Sequence, residues 1–394
     1  MSTYLGYLEE VAADKVGTAH EYHEQVEPII KLTQKTLLGN VSGFALNSAH
    51  GLAFHRGLGT PLVPASSTPL SKYLNEASIA SFASSAYSKP NIAVVANGAN
   101  QAELSKWVGE FFKDVSTSGS PLSSEATKYY GGEERIAHGS GNSFVIAFPG
   151  SSSFTAGGSY KPEISVLAAL LGGKSTIKWS PGFSLLAKAI SSFPGASATT
   201  THLAYSDAGL LAIEFTGSAE AIRGAATEAV KALKSIADGS ISNEDFTKAV
   251  ALAKYNALEE GQNIEAGLVS TGAGLVHGGK AFQIDEIGSS IQAVSADKLK
   301  SVCIFFNHRT KSSINVITGG KGIVGGQGDR LSCWRLVCTS LCRGHWPQGI
   351  DAWKFRTRGS GLYQQLLECI VDMRAILVYK MISFVLQRSF NNQK

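Results

Sequence analysis

Cysteine is scarce in this 394-residue chain, with five in all, and four of them (Cys333, Cys338, Cys342 and Cys369) fall after residue 330. Only Cys303 belongs to the body, which excludes a disulfide framework and suits a reducing interior. Proline is sparse as well, at 11 residues against 42 glycines, so collagen-like and proline-rich architectures are excluded. Apolar runs stay short of the ~20 residues that a membrane-spanning helix needs; even the segment near 375–386 is interrupted by Lys380. Basic charge is missing where nucleic acid would require it. The formal net charge is +4, yet residues 331–394 hold nine Lys and Arg against three Asp and Glu. The first 330 residues are therefore slightly acidic, with no basic stripe to release counterions from a phosphate backbone. What is present, 44% hydrophobic and 17% charged residues, suits a globular chain with room for two domains of roughly 150–200 residues.

The composition changes after residue 330. Six of eleven Arg, three of five Trp and two of three Met lie there, so two different compositions are joined. The amino end, MSTYLGYLEEVAADK, carries neither an apolar signal core nor an Arg-rich presequence, which taken alone predicts a cytosolic protein.

Apolar spacing predicts helices over 20–38 (Val26, Ile29, Ile30, Leu32) and 42–56 (Phe44, Leu46, Leu52, Phe54). Thr68-Pro69 is a helix start whose segment runs to about Tyr87. A strand at Asn91–Asn97 and a helix from Gln101 to Val115 follow. Residues 116–127 are small, polar and broken by Gly and Pro, the composition of a linker. Beyond them strands are expected near 143–149, 196–204, 208–216 and 312–318. The helices expected there lie at about 160–171, 182–192, 219–238, 243–261, 263–277, 283–292 and 296–306. In 219–238, Ile222, Ala226, Ala229, Val230, Leu233 and Ile236 form one stripe. Ser242 caps the next helix with Asp245 at the capping-box position. Strands and helices in partly separate runs give an α+β fold: a mixed sheet with helices on one face.

Several motifs invite a catalytic reading and fail on context. His20-Glu21-Tyr22-His23-Glu24 resembles the H-x-x-E-H of inverted zinc peptidases with its last two letters exchanged. A His20/Glu24 pair one turn apart could hold a metal weakly, but a solvated helix face explains it more simply. Ala168–Ser175 approaches a P-loop, with Ala168 where the phosphate-wrapping glycine must stand, and it follows a helix. Gly320–Gly325 matches G-x-G-x-x-G after a strand, but Gly-Gln-Gly-Asp-Arg comes next and offers no helix start for a pyrophosphate. Gly150–Gly158 reads as a strand-to-helix loop. Cys338, Cys342 and His345, with Cys333 as a fourth ligand, have zinc-like spacing without the strand and helix of a zinc module. His50 and His55 flank an apolar helix end; His202, His277 and His308 are scattered, and a triad is defined by geometry rather than sequence.

Four strings occur together and in order: Tyr129–Arg135, Gly172–Gly182, Ala204–Leu210 and Gly239–Asp245. They resemble the core protein 2 family of mitochondrial ubiquinol-cytochrome c reductase, respiratory complex III, and Ala49–Gly59 looks like that family's first domain. The likeness covers about residues 1–319. The family is similar in fold to zinc-dependent pitrilysin-type and mitochondrial processing peptidases. The resemblance implies a peptidase-like domain in two copies, each a two-layer mixed sheet with helices on one face. An incomplete first copy is expected at 1–115, a linker at 116–127, a second copy at 128–319, and an atypical tail at 320–394, poorly ordered or a gene-model artefact. Met1 is expected to fall inside the first domain, after the point where active relatives carry their zinc motif.

The implied function is a non-catalytic subunit on the matrix side of the inner mitochondrial membrane, scaffolding complex III beside core protein 1 and the other subunits. The resemblance implies no nucleic-acid partner, no membrane span and no cofactor, and no catalytic, cofactor-binding or metal-binding residues. Two alternatives stay open. One is the non-catalytic, substrate-recognising subunit of a processing peptidase, where a long glycine-rich loop is expected; Gly172–Gly182 has only three glycines and carries Lys174, Lys178 and Trp179. The other is an active zinc metallopeptidase.

Overall fold

The computed structural model describes residues 20, 22–60, 76–117, 126–155, 158–173, 182, 184–277, 279–308 and 314–319. In the first part of the chain, a helical turn at Tyr22–Val26 leads into α1 (Glu27–Gly39). Asn40 ends α1 and starts α2 (Val41–Phe54), its side-chain oxygen accepting the Gly43 N–H at 3.1 Å; such a cap satisfies one of the donors that a helix start leaves unpaired. Helices α3 (Glu76–Ala86) and α4 (Gln101–Phe111) follow, the latter capped by Asn100.

The strand expected at Asn91–Asn97 is absent: Ile92–Ala96 belongs to no helix or ladder. The physical reason is that a strand needs a neighbour to take its backbone groups, and among the described residues no other strand runs beside it. The Thr68-Pro69 helix start lies outside the described residues.

From residue 132 onward the elements are β1 (Gly132–Ala137), β2 (Ser143–Pro149), α5 (Pro162–Leu171), α6 (Leu185–Ile190), β3 (Ser197–Ala204) and β4 (Gly209–Thr216). The helices α7 (Ala219–Ala237), α8 (Asn243–Gln262), α9 (Ile264–Val276), α10 (Ile284–Gln292) and α11 (Ala296–His308) follow, and then β5 (Ile314–Gly319). The expected capping residue is in place, with Ser242 Oγ accepting the Asp245 N–H at 3.0 Å and donating to the Asp245 carboxylate at 2.9 Å. That bond, reinforced by Lys188, holds the Asp245 carboxyl below the usual carboxylate range.

The five strands form one mixed sheet in the order β1-β5-β2-β4-β3. β1 runs parallel to β5, and the other neighbours are antiparallel. β1 was not expected from the sequence, because Gly-Glu-Glu-Arg has no apolar alternation; it is an edge strand held by β5 on one side only.

The sheet separates two apolar layers by the two-residue period of its strands. Phe144, Ile146 and Phe148 of β2, with Leu211, Ile213 and Phe215 of β4, point into the larger core with α5, α7, α8, α10 and α11. Val145 and Ala147, with Leu210 and Ala212, point to the other face. That face is covered by α2, which lays Ala45, Ala49 and Ala53 against it, all fully buried, together with Phe54. Strands buried on both faces read as unbroken apolar runs, and Ser143–Pro149 does so.

The α+β class and the mixed sheet backed by helices are therefore as expected, and α2 adds cover to the second face. The closest contact of α2 with the sheet is made by its small residues. Phe44, Leu46 and Leu52 are only partly buried, whereas three alanines spaced by four form the contact line. Methyl groups let a helix axis approach a sheet more closely than branched side chains would.

Candidate functional site

The residues singled out for chemistry are dispersed. His20 and Glu24 do meet, Nε2 to carboxylate oxygen at 3.3 Å, but their side chains are 76% and 65% exposed. His23 pairs in turn with Glu27 at 3.0 Å and Lys31 with Glu27 at 2.6 Å, giving a ladder of solvent-screened surface pairs one turn apart. Among the described residues no three His, Cys, Asp or Glu side chains come together as a metal-holding group. The P-loop-like segment ends α5 at Gly172, whose φ of 58° and whose approach to Ser184 require glycine; Gly173 then bridges Thr199. Lys174 and Ser175 lie outside the described residues, as do Gly320–Gly325, Cys333, Cys338, Cys342 and His345. His55, His138 and His277 are likewise separate from one another.

His50 and His202 are partly buried and hydrogen-bonded within the fold. His50, on α2, donates from Nδ1 to the Leu46 carbonyl at 2.8 Å, which leaves Nε2 to accept the Tyr205 hydroxyl at 2.6 Å. The rings of His50, Phe54, Tyr129 and Tyr205 stack edge to face or tilted around this bond, with centroids 5.9–6.4 Å apart. Burial pushes the Tyr129 hydroxyl far above the ordinary range. His202, on β3, accepts the Ser151 N–H at Nε2 at 3.0 Å. Ser151 is itself buried, its hydroxyl accepting the Lys161 N–H at 2.6 Å and donating to the Ser152 carbonyl. His50 has no ring nitrogen left for a substrate or a metal.

These bonds join the two halves of the chain. The Tyr130 N–H donates to the Ala53 carbonyl at 2.7 Å, and His138 Nε2 reaches the Leu38 carbonyl at 2.6 Å, so the carboxyl ends of α2 and α1 are satisfied from residues 130–138. Ser48 of α2 bonds the Glu134 carboxylate of β1. At the sheet's other side the Asp207 carboxylate takes both the N–H and the hydroxyl of Thr127, at 2.7 and 2.9 Å. Sequence reasoning noted Tyr205 and Asp207 only as part of a recognisable string. No periodicity marks them, because their partners lie 155 and 80 residues away.

Burial holds both imidazoles below their ordinary range, opposed by backbone hydrogen bonds to Leu46 and Ser151 respectively. The unfolded chain, with histidines titrating near 6.5, therefore binds more protons than the folded one between the depressed values and about pH 6.5. Stability from these two sites is complete above about pH 6.5 and is lost as the pH falls toward the folded values. We expect the urea midpoint to drop between about pH 7 and about pH 5, and the His50→Gln/His202→Gln double variant to show a flatter profile. Equal slopes for the two proteins would refute the assignment.

The architecture is a mixed five-stranded sheet backed by helices, with no metal-holding group among the described residues. Residues 73–252 match the family model of the peptidase M16 inactive domain. The cytochrome b-c1 complex subunit 2 of Neurospora crassa is 52% identical over 295 residues, covering 75% of this chain and 64% of that protein. The protein of the same name in Schizosaccharomyces pombe is 32% identical over 278 residues, or 68% and 62% of the two chains. The chain thus spans somewhat less than two-thirds of these relatives' length. The mitochondrial-processing peptidase subunit alpha-2 of Dictyostelium discoideum is 25% identical over 293 residues, covering 72% of this chain and 63% of that protein. A solved structure, Complex III2 from Candida albicans with Inz-5 bound, has a TM-score of 0.66 at 14% identity, covering 84% of this chain and 80% of that one. That likeness bears on the fold alone.

Proposed function

We propose that this chain is a non-catalytic structural subunit of mitochondrial ubiquinol-cytochrome c reductase, acting as a scaffold on the matrix side beside core protein 1. The 52% identity to the Neurospora crassa subunit 2 carries this reading. The enclosed polar groups agree with it: hydrogen bonds of His50, His202, Tyr205 and Ser151 hold elements of the fold together. Such a molecule works through its outer surface. No described helix is long and apolar enough to cross a membrane, which suits a peripheral position within the complex. We place the domain boundary at 116–127, between a first peptidase-like stretch and a second copy at 128–319.

A second reading, the non-catalytic subunit of a processing peptidase, draws on the Dictyostelium discoideum relative, at about half the identity. Expression of the full chain in Neurospora crassa mitochondria lacking the native subunit 2 separates the two. The expected result is recovery of the assembled cytochrome b-c1 complex on native gels, with this chain in the band. Migration of the chain with processing-peptidase activity instead would favour the second reading, and zinc-dependent peptide cleavage by the purified chain alone would overturn both.

A further inference from the structure

Helix α9 has the composition of a buried helix and the position of an outer one. Of its 13 residues only Glu265 is charged, and a helix apolar all round is normally enclosed. Here it packs chiefly on α8, leaving Ile264 53%, Leu275 54% and Val276 56% exposed, with Tyr255 of α8 at 59%. Ile264 and Leu275 are eleven residues apart, three turns of helix, so they lie on one face and about 16 Å from each other. Electrostatics narrows what can cover them. Residues 255–286 hold five carboxylates and one lysine, in a chain whose net charge is positive. The lysine, Lys280, is taken by Glu286 at 2.5 Å, and among the described residues Glu259, Glu260 and Glu265 form no ion pair.

We propose that the α8–α9 face docks a neighbouring protein subunit that presents aliphatic side chains bordered by Lys and Arg. A second copy of this chain would bring acidic rims together, since a two-fold interface sets a patch against itself, and like charges across an interface oppose association. An anionic lipid surface is repelled for the same reason. The other exposed aliphatic pair, Ile29 and Leu32 on α1, stands beside Lys31 and Lys35 and lacks this complementarity. The proposal rests on the scaffold reading only in taking the occupant to be a companion subunit.

The test uses the purified full chain and two labelled amphipathic peptides of equal length, one of Leu and Lys, one of Leu and Glu, followed by fluorescence anisotropy. The Leu/Lys peptide should bind, and the Leu/Glu peptide should not. Binding should weaken about tenfold in Ile264→Asp/Leu275→Asp, as expected for loss of central apolar anchors. Glu259→Gln/Glu260→Gln, which leaves packing untouched, should weaken it several-fold and reduce its salt dependence. Ile29→Asp/Leu32→Asp should bind as the parent does. Equal binding of both peptides, binding indifferent to the α8 and α9 substitutions, or dimerisation of the parent chain abolished by Leu275→Asp would each overturn the proposal. Failure to enter the cytochrome b-c1 complex with peptide binding intact would count against the scaffold reading alone.

Discussion

Gly209→Ala is expected to destabilise the protein by about 3 kcal/mol or more, at the severe end for a single added methyl group. The reason is an approach of one backbone to another. A Cβ at residue 209 would stand 2.1 Å from the Ser151 carbonyl oxygen and 2.7 Å from both the nitrogen and the carbonyl carbon of Ser151. The Gly150 N–H donates to the Gly209 carbonyl at 2.7 Å, so the start of β4 and the loop after β2 are held against each other. No rotamer change can relieve such a contact, because backbone atoms are on both sides. The effect should appear as a lowered urea midpoint with an unchanged slope. Gly109→Ala on α4 supplies the comparison: nothing lies within 4 Å of its added Cβ, so it should stabilise by roughly 0.5–1 kcal/mol through helix propensity. A Gly209→Ala protein as stable as the parent would show that this crossing is looser than described.

Phe215→Ala should cost about 3–5 kcal/mol. Phe215 is fully buried, sits opposite Phe144 in the register of β2 and β4, and stacks on it with centroids 6.1 Å apart and planes at 24°. Its removal takes a ring from the middle of the sheet's larger core, where α7 closes over the strands, and the surrounding backbone can collapse only in part. Phe215→Leu keeps most of the volume and should cost less than about 1.5 kcal/mol. Thermal or urea unfolding of the two variants checks the order. Similar losses for both would point to the aromatic stack rather than the filled volume as the source of stability.

Much of this fold was legible in the sequence wherever one element's periodicity decided its own fate. The stripe on α7 is an example: Ile222, Ala226, Ala229, Val230 and Ile236 are buried and Leu233 partly so. β2, β3 and β4 were legible for the same reason, and the cap at Ser242 because it is written in four adjacent residues. What failed depended on partners distant in the chain. Asn91–Asn97 has strand composition, but composition cannot supply a neighbouring strand. β1 is the converse, a polar segment made into a strand by β5, about 180 residues later. The docking line of α2 is not marked by its larger apolar residues, since closeness to the sheet selects Ala45, Ala49 and Ala53 beside Phe54. Of the candidate chemistry, His20, His23 and Glu24 of the scrambled zinc-like motif lie exposed on a helix face. The engagement of His50 and His202 was invisible, because Tyr205 and Ser151 reach them only through the tertiary fold.

The order of the sheet has a consequence for how this molecule is made. β5 lies between β1 and β2, so the gap it fills stays open until the ribosome has released residues 314–319. Until then β1 has no neighbour, and the seat of α2 on the second face lacks its β5 part. Vectorial synthesis thus leaves strand edges waiting while the residues between β2 and β5 are made, a condition that favours aggregation. The nascent chain is thereby a natural client for chaperones that shield unpaired strands.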